Sequence, residues 1–220
     1  MSLKLVVFDV DGTLVDSQAD IVLAMTEAFA TVGLAAPERD RILSIVGLSL
    51  ERAIAQLAPD AAPDELATMV AAYKDAYVQR QGSDAAAPLY PGVRDLLARL
   101  EQHEDWLLGV ATGKSRRGLT AVLAAHGLER RFVTEQVSDF HPSKPHPAML
   151  QAALDDAGVT AGDAVMVGDT SYDMDMARAA GVYAIGVSWG YHPPELLGSA
   201  DVVIDDMADL PAILSQRWGA

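Results

Sequence analysis

The sequence predicts an α/β fold, in which a doubly wound and mainly parallel sheet is interrupted by an inserted helical segment. Short apolar runs alternate with helix-patterned stretches over most of the chain, and one long stretch near the N-terminus shows helical patterns alone. Several runs are apolar on both faces, which is typical of strands buried between helices in a parallel sheet. Hydrophobic residues make up 50% of the 220 residues, enough for a full-sized core.

The alternation of strands and helices can be followed along the chain. The predicted strands are Leu3–Phe8, Trp106–Ala111, Phe132–Thr134, Ala164–Val167, Tyr183–Val187 and Asp201–Ile204. The predicted helices lie near Val93–Gln102, Ser115–His126, Pro147–Ala157 and Tyr172–Ala180. Gly127, Gly158 and Gly181 stand where helix C-terminal stop signals belong. The pattern indicates a Rossmann-like core, whose ligands bind at the carboxyl ends of the strands.

One stretch breaks this alternation and predicts a second unit. Residues 17–84 contain no convincing strand, only helical patterns rich in Ala, Leu, Ile, Met and Glu. The stretch ends in Gly82–Pro88, a composition typical of a flexible connection. We therefore expect an α/β core formed by residues 1–16 and 85–220, with residues 17–84 as an inserted helical unit.

Composition excludes several classes of function. Lys and Arg number 16 against 31 Asp and Glu, a formal net charge of −15, which argues against binding nucleic acid or an anionic membrane surface. The absence of cysteine excludes disulfides, thiolate nucleophiles and cysteine-based metal sites. No apolar run approaches the ~18 residues that span a bilayer, and the N-terminus lacks the features of a secretory signal. We expect a soluble, cytoplasmic protein.

The exit of the first strand carries two carboxylates. Asp9 and Asp11 are two residues apart, so both can project toward the same edge of the sheet. Gly12 permits a tight turn there, and Thr13 can cap or donate from its hydroxyl. Two neighbouring carboxylates repel each other unless they share a proton or a cation. A hard divalent cation such as Mg²⁺ would remove this repulsion.

Later strand exits carry a hydroxyl, a lysine and a second carboxylate pair. Thr112 opens a helix whose free amides suit an anion, and Lys144 lies in a loop fixed by prolines. Asp169 and Asp173 are four residues apart near a helix start, so both can face one edge of the sheet. Singly, these residues could be turn residues, N-caps or a surface lysine. Because they occur in this order at successive strand exits, these residues together indicate a functional site.

These strand exits resemble the four motifs of the haloacid dehalogenase-like hydrolase superfamily, and most closely its phosphoglycolate phosphatase-like branch. The motifs read FDVDGTL from Phe8, ATGKS from Ala111, SKPHP from Ser143 and GDTSYDMD from Gly168. They cover the whole core in the order of the family. The helical insertion occupies the place of the family's cap domain.

The resemblance implies phosphoryl transfer to a carboxylate. Asp9 would be the nucleophile that forms an aspartyl-phosphate, and Asp11 would protonate the leaving alkoxide and later activate water. Thr112, with backbone amides near Gly113, would hold the phosphoryl oxygens. Lys144 would stabilise the nucleophile and the transferring charge.

The same resemblance implies a Mg²⁺ site. The Asp9 carboxylate, the Asp11 backbone carbonyl and the Asp169 carboxylate would be ligands, with Asp173 as a further ligand or a partner of the ligands. The metal would offset the repulsion between an anionic nucleophile and an anionic phosphate.

Specificity in such enzymes comes from the cap, which closes over the site and contacts the leaving group. The loop containing Gly47 and Ser49 resembles the cap loop of the branch. Arg52 is a candidate partner for a substrate carboxylate, with an ordinary surface arginine as the alternative. Lys114 could meet a substrate anion or only decorate a helix start. Gly113 completes the predicted substrate-binding residues.

The resemblance leaves more than one function open. The leading expectation is a Mg²⁺-dependent phosphomonoester hydrolase for a small metabolite, with 2-phosphoglycolate as the first candidate. A sugar-phosphate mutase of the β-phosphoglucomutase type uses the same core, and a non-catalytic Mg²⁺-binding phosphoaspartate signalling module places carboxylates similarly. Dehalogenation is disfavoured, because dehalogenases lack a carboxylate at the position of Asp11. The expected partner is a small phosphate ester, and both a monomer and a homodimer remain open.

Overall fold

The α/β sheet is present in the computed structural model, which describes residues 2–81 and 87–219. Its strands are β1 (Lys4–Phe8), β2 (Trp106–Thr112), β3 (Thr134–Val137), β4 (Ala164–Gly168), β5 (Tyr183–Val187) and β6 (Val202–Ile204). The strand order is β3-β2-β1-β4-β5-β6, and every pairing is parallel. The predicted fold class is confirmed.

Helices connect the strands on both faces of the sheet. They are α1 (Gln18–Thr31), α2 (Arg39–Leu43), α3 (Leu50–Leu57), α4 (Pro63–Gln81), α5 (Val93–Leu100), α6 (Arg116–His126), α7 (Ala148–Ala157), α8 (Ser171–Ala180) and α9 (Leu210–Trp218). Gly127, Gly158 and Gly181 end α6, α7 and α8 with φ values of 63°, 65° and 71°. These three predicted helix stops are therefore confirmed, whereas α9 was not predicted.

The third strand differs from its prediction. It was expected at Phe132–Thr134, but the ladder with β2 begins at Thr134 and continues to Val137. The strand is polar, and its side chains Thr134 and Gln136 each donate a hydrogen bond of 2.7 Å to Asp156 on α7. An edge strand can carry polar residues when a neighbouring helix satisfies them. A search for apolar runs therefore places it too early in the chain.

Strand β1 shows why the sheet is buried on both faces. Val6 and Phe8 belong to one apolar cluster, and Leu5 and Val7 belong to a second cluster. Successive side chains of a strand point to opposite faces, so these clusters lie on the two sides of the sheet. All four residues have no exposed surface. The absence of polar alternation in the sequence follows directly from this two-sided burial.

The strand order reverses at β1, and this reversal positions the site. Strand β1 pairs with β2 on one side and with β4 on the other. The loops after β1, β2 and β4 therefore leave from neighbouring carboxyl ends. Ligands of open α/β sheets bind in the crevice at such a reversal.

Helices α1 to α4 form the inserted segment that follows β1, and α1 packs against α4. The chain leaves and re-enters the core at one place: the Asp16 amide donates to the Pro88 carbonyl at 2.8 Å, and Val15 pairs with Leu89. The predicted boundary between residues 84 and 85, and most of the predicted connection, lie outside the described residues. Within the described part of the chain, no helix is both long and apolar enough to cross a membrane.

Candidate active site

Three strand ends supply the buried polar residues of the candidate active site. Asp9 directly follows β1, Thr112 ends β2, and Asp169 directly follows β4. The Asp9 amide donates to the Val167 carbonyl at 2.9 Å, which holds the two loops together. Asp9 and Thr112 are 1% exposed and Asp169 has no exposed surface, so water has little access to them.

The loop after β1 turns back tightly beneath Asp169. The Gly12 amide donates to the Val15 carbonyl at 2.9 Å, and Gly12 has a φ of 81°. A Cβ atom at Gly12 would lie 2.1 Å from Asp169 Oδ2, so only glycine fits the close approach. Thr13 Oγ1 donates to Asp169 Oδ1 at 2.9 Å. The turn thus both makes room for the Asp169 carboxylate and holds it.

Asp9, Asp169 and Asp173 form a buried carboxylate cluster, with one oxygen of each within 4.8 Å of the others. Burial raises the pKa of Asp9 to about 7, although Lys144 opposes the shift. Burial and the neighbouring Asp173 also raise the pKa of Asp169 well above its usual range. Asp9 Oδ2 accepts no hydrogen bond from the described residues. A divalent cation fits this cluster, because it would neutralise the excess negative charge.

Lys144 is the buried cation beside this cluster. Its Nζ donates to Asp173 Oδ1 at 2.6 Å and forms an ion pair with Asp9 Oδ2 at 3.1 Å. Burial alone would lower the pKa of Lys144, but the carboxylates of Asp173 and Asp9 outweigh burial and raise it. Lys144 therefore remains a fixed positive charge. One ammonium group does not balance three carboxylates.

A capping box at the start of α8 orients Asp173. The Thr170 hydroxyl accepts from the Asp173 amide, and the Asp173 carboxylate accepts from the Thr170 amide at 3.1 Å. Asp173 Oδ2 also accepts from the Thr170 hydroxyl at 2.7 Å. With Oδ1 bound to Lys144, both carboxylate oxygens of Asp173 have protein partners. Its contacts fix the position of the lysine as well as of the helix.

The loop after β2 forms another side of the candidate site. Thr112 Oγ1 accepts from the Lys114 amide at 3.3 Å, and Ser115 caps α6 by accepting from the Gly118 amide. A Cβ atom on Gly113 would lie 2.4 Å from the Leu48 carbonyl oxygen. The inserted segment is therefore in close contact with the loop after β2.

Further contacts hold the inserted segment over the strand ends. The Ser49 amide donates to Ser143 Oγ at 2.8 Å, and a Cβ on Gly113 would also approach the Gly47 carbonyl to 2.8 Å. The Ser44 carbonyl accepts from Tyr172 at 3.3 Å and from His192 at 3.1 Å. Gly47 and Ser49, two predicted substrate-binding residues, thus contact the core.

Asp11 is separate from the carboxylate cluster and has its own partners. Ser17 Oγ donates to Asp11 Oδ1, and the Tyr191 hydroxyl lies 2.9 Å from Ser17 Oγ. Lys114 Nζ lies 2.8 Å from Asp11 Oδ2 and donates to the Tyr77 hydroxyl at 2.6 Å. Lys114 therefore links the loop after β1 with helix α4 of the inserted segment.

A cavity of about 80 Å³ lies between the strand ends and the inserted segment. Its core wall includes Asp9, Asp11, Thr112, Gly113 and Lys114. The wall contributed by the inserted segment is mainly apolar and aromatic, and includes Ile21, Met25, Ile45, Val46, Leu50, Tyr73 and Tyr77.

The structure separates Arg52 from the other predicted substrate-binding residues. Arg52 is exposed on α3 and is not among the described residues that line the cavity. Gly47 and Lys114 do line it, whereas Ser49 contacts the neighbouring loop. Tyr77 was not found from the sequence. The one available signal was its spacing of four residues from Tyr73, which places both rings on one face of a helix.

The chain belongs to the haloacid dehalogenase-like hydrolase family, whose model matches residues 6–187. It is 36% identical over 94% of its length to the probable phosphatase IndB of Dickeya dadantii, and covers 91% of that protein. It is 32% identical over 95% of its length to the phosphoglycolate phosphatase of Vibrio cholerae, and covers 96% of that protein.

Solved structures of similar proteins share the whole fold. A structure from Haemophilus somnus, described as a predicted phosphoglycolate phosphatase, has a TM-score of 0.84 at 27% identity and covers 97% of this chain and 98% of its own. CbbY from Rhodobacter sphaeroides, in complex with phosphate, has a TM-score of 0.82 at 27% identity. The match covers 94% of this chain and 96% of the CbbY chain. The expectation of an enzyme, a phosphoric monoester hydrolase similar to the phosphoglycolate phosphatases, is confirmed.

We predict that Gly12→Ala destabilises the protein more than Gly33→Ala does. Both glycines have positive φ, 81° and 72°, so each substitution strains the backbone by about 1 kcal/mol. A Cβ at Gly12 collides with Asp169, whereas nothing lies within 4 Å of a Cβ at Gly33. We expect a further loss of about 1–3 kcal/mol at Gly12 from overpacking, measured by urea unfolding. Equal losses would show that the Gly12 turn yields without displacing Asp169.

Proposed function

We propose that this protein is a Mg²⁺-dependent phosphatase that hydrolyses the phosphate monoester of a small metabolite through an aspartyl-phosphate on Asp9. The observation that carries this proposal is the state of the Asp9 carboxylate. It is buried at the reversal of strand order, with Oδ1 fixed by the Val10 amide at 2.7 Å and Oδ2 engaged among the described residues by the ion pair with Lys144 at 3.1 Å. A carboxylate fixed in this way suits a nucleophile.

In the first step, a carboxylate oxygen of Asp9 forms a bond to phosphorus while the bond from phosphorus to the ester oxygen breaks. Asp11 gives its proton to the departing alkoxide. In the second step, Asp11 takes a proton from water, whose oxygen attacks phosphorus and releases phosphate from Asp9. Asp11 lines the same cavity as Asp9, and its Ser17 partner orients the carboxyl group.

The carboxylates of Asp9, Asp169 and Asp173, which we propose for a metal site, lie close together. The carboxylates of Asp9 and Asp169 and the backbone carbonyl of Asp11 would hold Mg²⁺, a hard cation that prefers oxygen ligands, with Asp173 as a further ligand or a partner of the ligands. When bound, the metal supplies positive charge that offsets the repulsion between the nucleophile and the phosphate. The unbalanced negative charge of the cluster supports this assignment. The Tyr191 amide, which donates to Asp169 Oδ2 at 2.9 Å, helps to keep that carboxylate in place.

Thr112, Gly113 and Lys144 would bind the phosphoryl group. Thr112 and Gly113 line the cavity between β2 and α6, and a hydroxyl and a backbone amide at this place are donors that suit an anion. Lys144 keeps its charge next to Asp9, so it stabilises both the carboxylate and the negative charge that develops on the phosphoryl oxygens.

The inserted segment would act as the cap of the enzyme, with residues 17–84 as its extent and residues 1–16 and 85–220 as the catalytic core. Its loop at 46–49 contacts the loops after β2 and β3, and its helices supply the apolar wall of the cavity. Covering the strand ends in this way excludes water from the phosphoryl group. The cap also meets the leaving group, and therefore sets specificity.

We propose 2-phosphoglycolate as the first substrate to test, because the relatives from Vibrio cholerae and Aliivibrio fischeri bear the name phosphoglycolate phosphatase. A panel of 2-phosphoglycolate, sugar phosphates, nucleoside monophosphates and pyrophosphate, each with Mg²⁺, separates the proposal from its rivals. An isomerised sugar phosphate without free phosphate would reveal a mutase. Lack of turnover together with stable phosphorylation of Asp9 by a partner would indicate signalling.

We predict that Asp9→Asn abolishes phosphate release while the protein stays folded. An amide is a poor nucleophile, and the substitution leaves the volume of the side chain unchanged. Phosphate release from the preferred substrate of the panel should fall by at least about 10³-fold, as for the loss of a nucleophile that acts with other groups. Circular dichroism controls for folding. Near-normal turnover by a folded Asp9→Asn protein would overturn the mechanism.

We predict that Asp169→Asn weakens Mg²⁺ binding by about 10- to 100-fold, since it removes one charged ligand. Asp163→Asn is the matched control. Asp163 immediately precedes β4, whereas Asp169 immediately follows it, so the two aspartates lie at opposite ends of one strand. Isothermal titration calorimetry with Mg²⁺ measures both affinities. Equal affinities in the two variants would remove Asp169 from the metal site.

We predict that the loss of activity caused by Asp11→Ala depends on the leaving group of the substrate. An alkyl phosphate needs a proton on its departing alkoxide, so its kcat/KM should fall by about 10²–10⁴-fold. The loss should be smaller for 4-nitrophenyl phosphate, whose leaving group departs as a stable anion. Steady-state kinetics on the two esters measures the difference. The same loss with both esters would contradict the role of Asp11 as an acid.

A further inference from the structure

We infer that Tyr191 positions the proton-transferring carboxyl group of Asp11, through a chain of hydrogen bonds that passes through the Ser17 hydroxyl. The inference rests on the proposed function and adds a residue of the loop after β5 to its proton-transfer step. Tyr191 is not among the described residues that line the active-site cavity. It therefore acts on the substrate through other residues, as a positioning residue.

The direction of each hydrogen bond in the chain follows from the protons that the hydroxyls carry. Ser17 Oγ donates to Asp11 Oδ1, and the Tyr191 hydroxyl lies 2.9 Å from Ser17 Oγ. A serine hydroxyl has one proton to donate. Because Ser17 uses that proton on Asp11, the Tyr191 hydroxyl is the donor to Ser17 Oγ. The Ser17 amide in turn donates to the Tyr191 hydroxyl oxygen at 3.1 Å, so the tyrosine holds both the main chain and the side chain of Ser17.

The tyrosine contributes what Ser17 alone lacks, a fixed direction of its proton. A serine hydroxyl rotates to suit its surroundings. The Tyr191 hydroxyl occupies the acceptor side of Ser17 Oγ and leaves the serine proton for Asp11. Ser17 then fixes one oxygen of the Asp11 carboxyl group and restricts its rotation. A general acid must lie within hydrogen-bond reach of the ester oxygen, and small misplacements of a catalytic group lower the rate.

The loop that carries Tyr191 is held to the core on both sides of the tyrosine ring. The Tyr191 amide donates to Asp169 Oδ2 at 2.9 Å, and the Ser171 amide donates to Nδ1 of the neighbouring, buried His192 at 3.1 Å. Ser17, by contrast, immediately precedes α1, where the inserted segment begins. Tyr191 thus ties the start of the inserted segment to a fixed part of the core. Asp11 receives its orientation from that fixed part.

Tyr191→Phe in the full-length protein tests the inference, because it removes the hydroxyl and keeps the ring and the main-chain amide. We expect kcat/KM for 2-phosphoglycolate, or for another alkyl phosphate that the panel prefers, to fall by about 3- to 10-fold, as for the loss of one hydrogen bond. The loss for 4-nitrophenyl phosphate, whose leaving group needs no proton, should stay below about twofold.

Tyr183→Phe is the matched control for the loss of a tyrosine hydroxyl. Tyr183 begins β5, whereas Tyr191 follows the other end of that strand, and both side chains are half-buried. We expect Tyr183→Phe to leave kcat/KM for both esters unchanged. Circular dichroism checks the fold of each variant.

A double-mutant cycle tests whether Tyr191 acts through Ser17. Ser17→Ala breaks the chain one residue closer to Asp11, so it should lower kcat/KM for the alkyl ester at least as much as Tyr191→Phe does. In the double variant, the tyrosine substitution should add less than about twofold, because residues of one hydrogen-bond network are not additive. Fully additive losses would show that Tyr191 acts by another route, and would overturn the inference.

Mg²⁺ affinity separates the side chain of Tyr191 from its main chain. Tyr191→Phe retains the amide that donates to Asp169, so isothermal titration calorimetry should give the wild-type affinity. A weaker affinity, or equal losses on the two esters, would mean that the hydroxyl supports Asp169 or the fold as a whole. Either result would overturn the inference.

The outcomes distinguish the inference from the function on which it rests. Absence of Asp9-dependent phosphate release from both esters would overturn the proposed function and this inference with it. Asp9-dependent release with equal losses on both esters in Tyr191→Phe would overturn the inference alone. If Tyr191→Phe does not fold, Ser17→Ala decides: a loss confined to the alkyl ester supports the chain, and an equal loss on both esters overturns it.

Discussion

The structure around the strand ends depends on one electrostatic constraint, the burial of three carboxylates beside a single lysine. Asp9, Asp169 and Asp173 are almost completely buried, and so is Lys144. Burial of unbalanced charge is unfavourable, so each carboxylate must be fixed by hydrogen bonds and by close packing. Gly190 shows how closely the chain packs here, because a Cβ at this residue would lie 2.1 Å from Asp169 Cβ. The fold thus concentrates buried charge at the candidate active site.

Much of the fold could be predicted because its signals are local. Strands buried on both faces are continuous apolar runs, as in Val165 and Met166 of β4, which belong to different apolar clusters, and helix ends carry glycines with positive φ. Prediction failed where tertiary contacts decide the structure. Strand β3 is polar because Asp156 on another element satisfies it, and no local pattern in the strand shows this partner.

In the candidate site too, some residues could be predicted from local signals and others depend on tertiary contacts. The residues at strand exits could be found because topology brings those exits together, so Asp9, Thr112 and Asp169 needed no knowledge of side-chain packing. The cap side was less predictable. Tyr77 contacts Lys114 only because α4 folds back over the loop after β2, and Arg52 is exposed although Leu50 of the same helix lines the cavity. The wall of the cavity depends on how the inserted segment packs on the core, which a linear pattern does not encode.

Several contacts between the inserted segment and the core are made by the main chain of the segment. They involve the carbonyls of Ser44, Gly47 and Leu48 and the amide of Ser49, and a main-chain atom is the same whatever side chain the residue carries. Side chains such as Leu50 and Met25 form the cavity wall without making these contacts. Evolution can therefore replace the wall residues and acquire a new substrate while the docking of the two units is inherited intact. A scaffold built in this way can diversify without first becoming unstable.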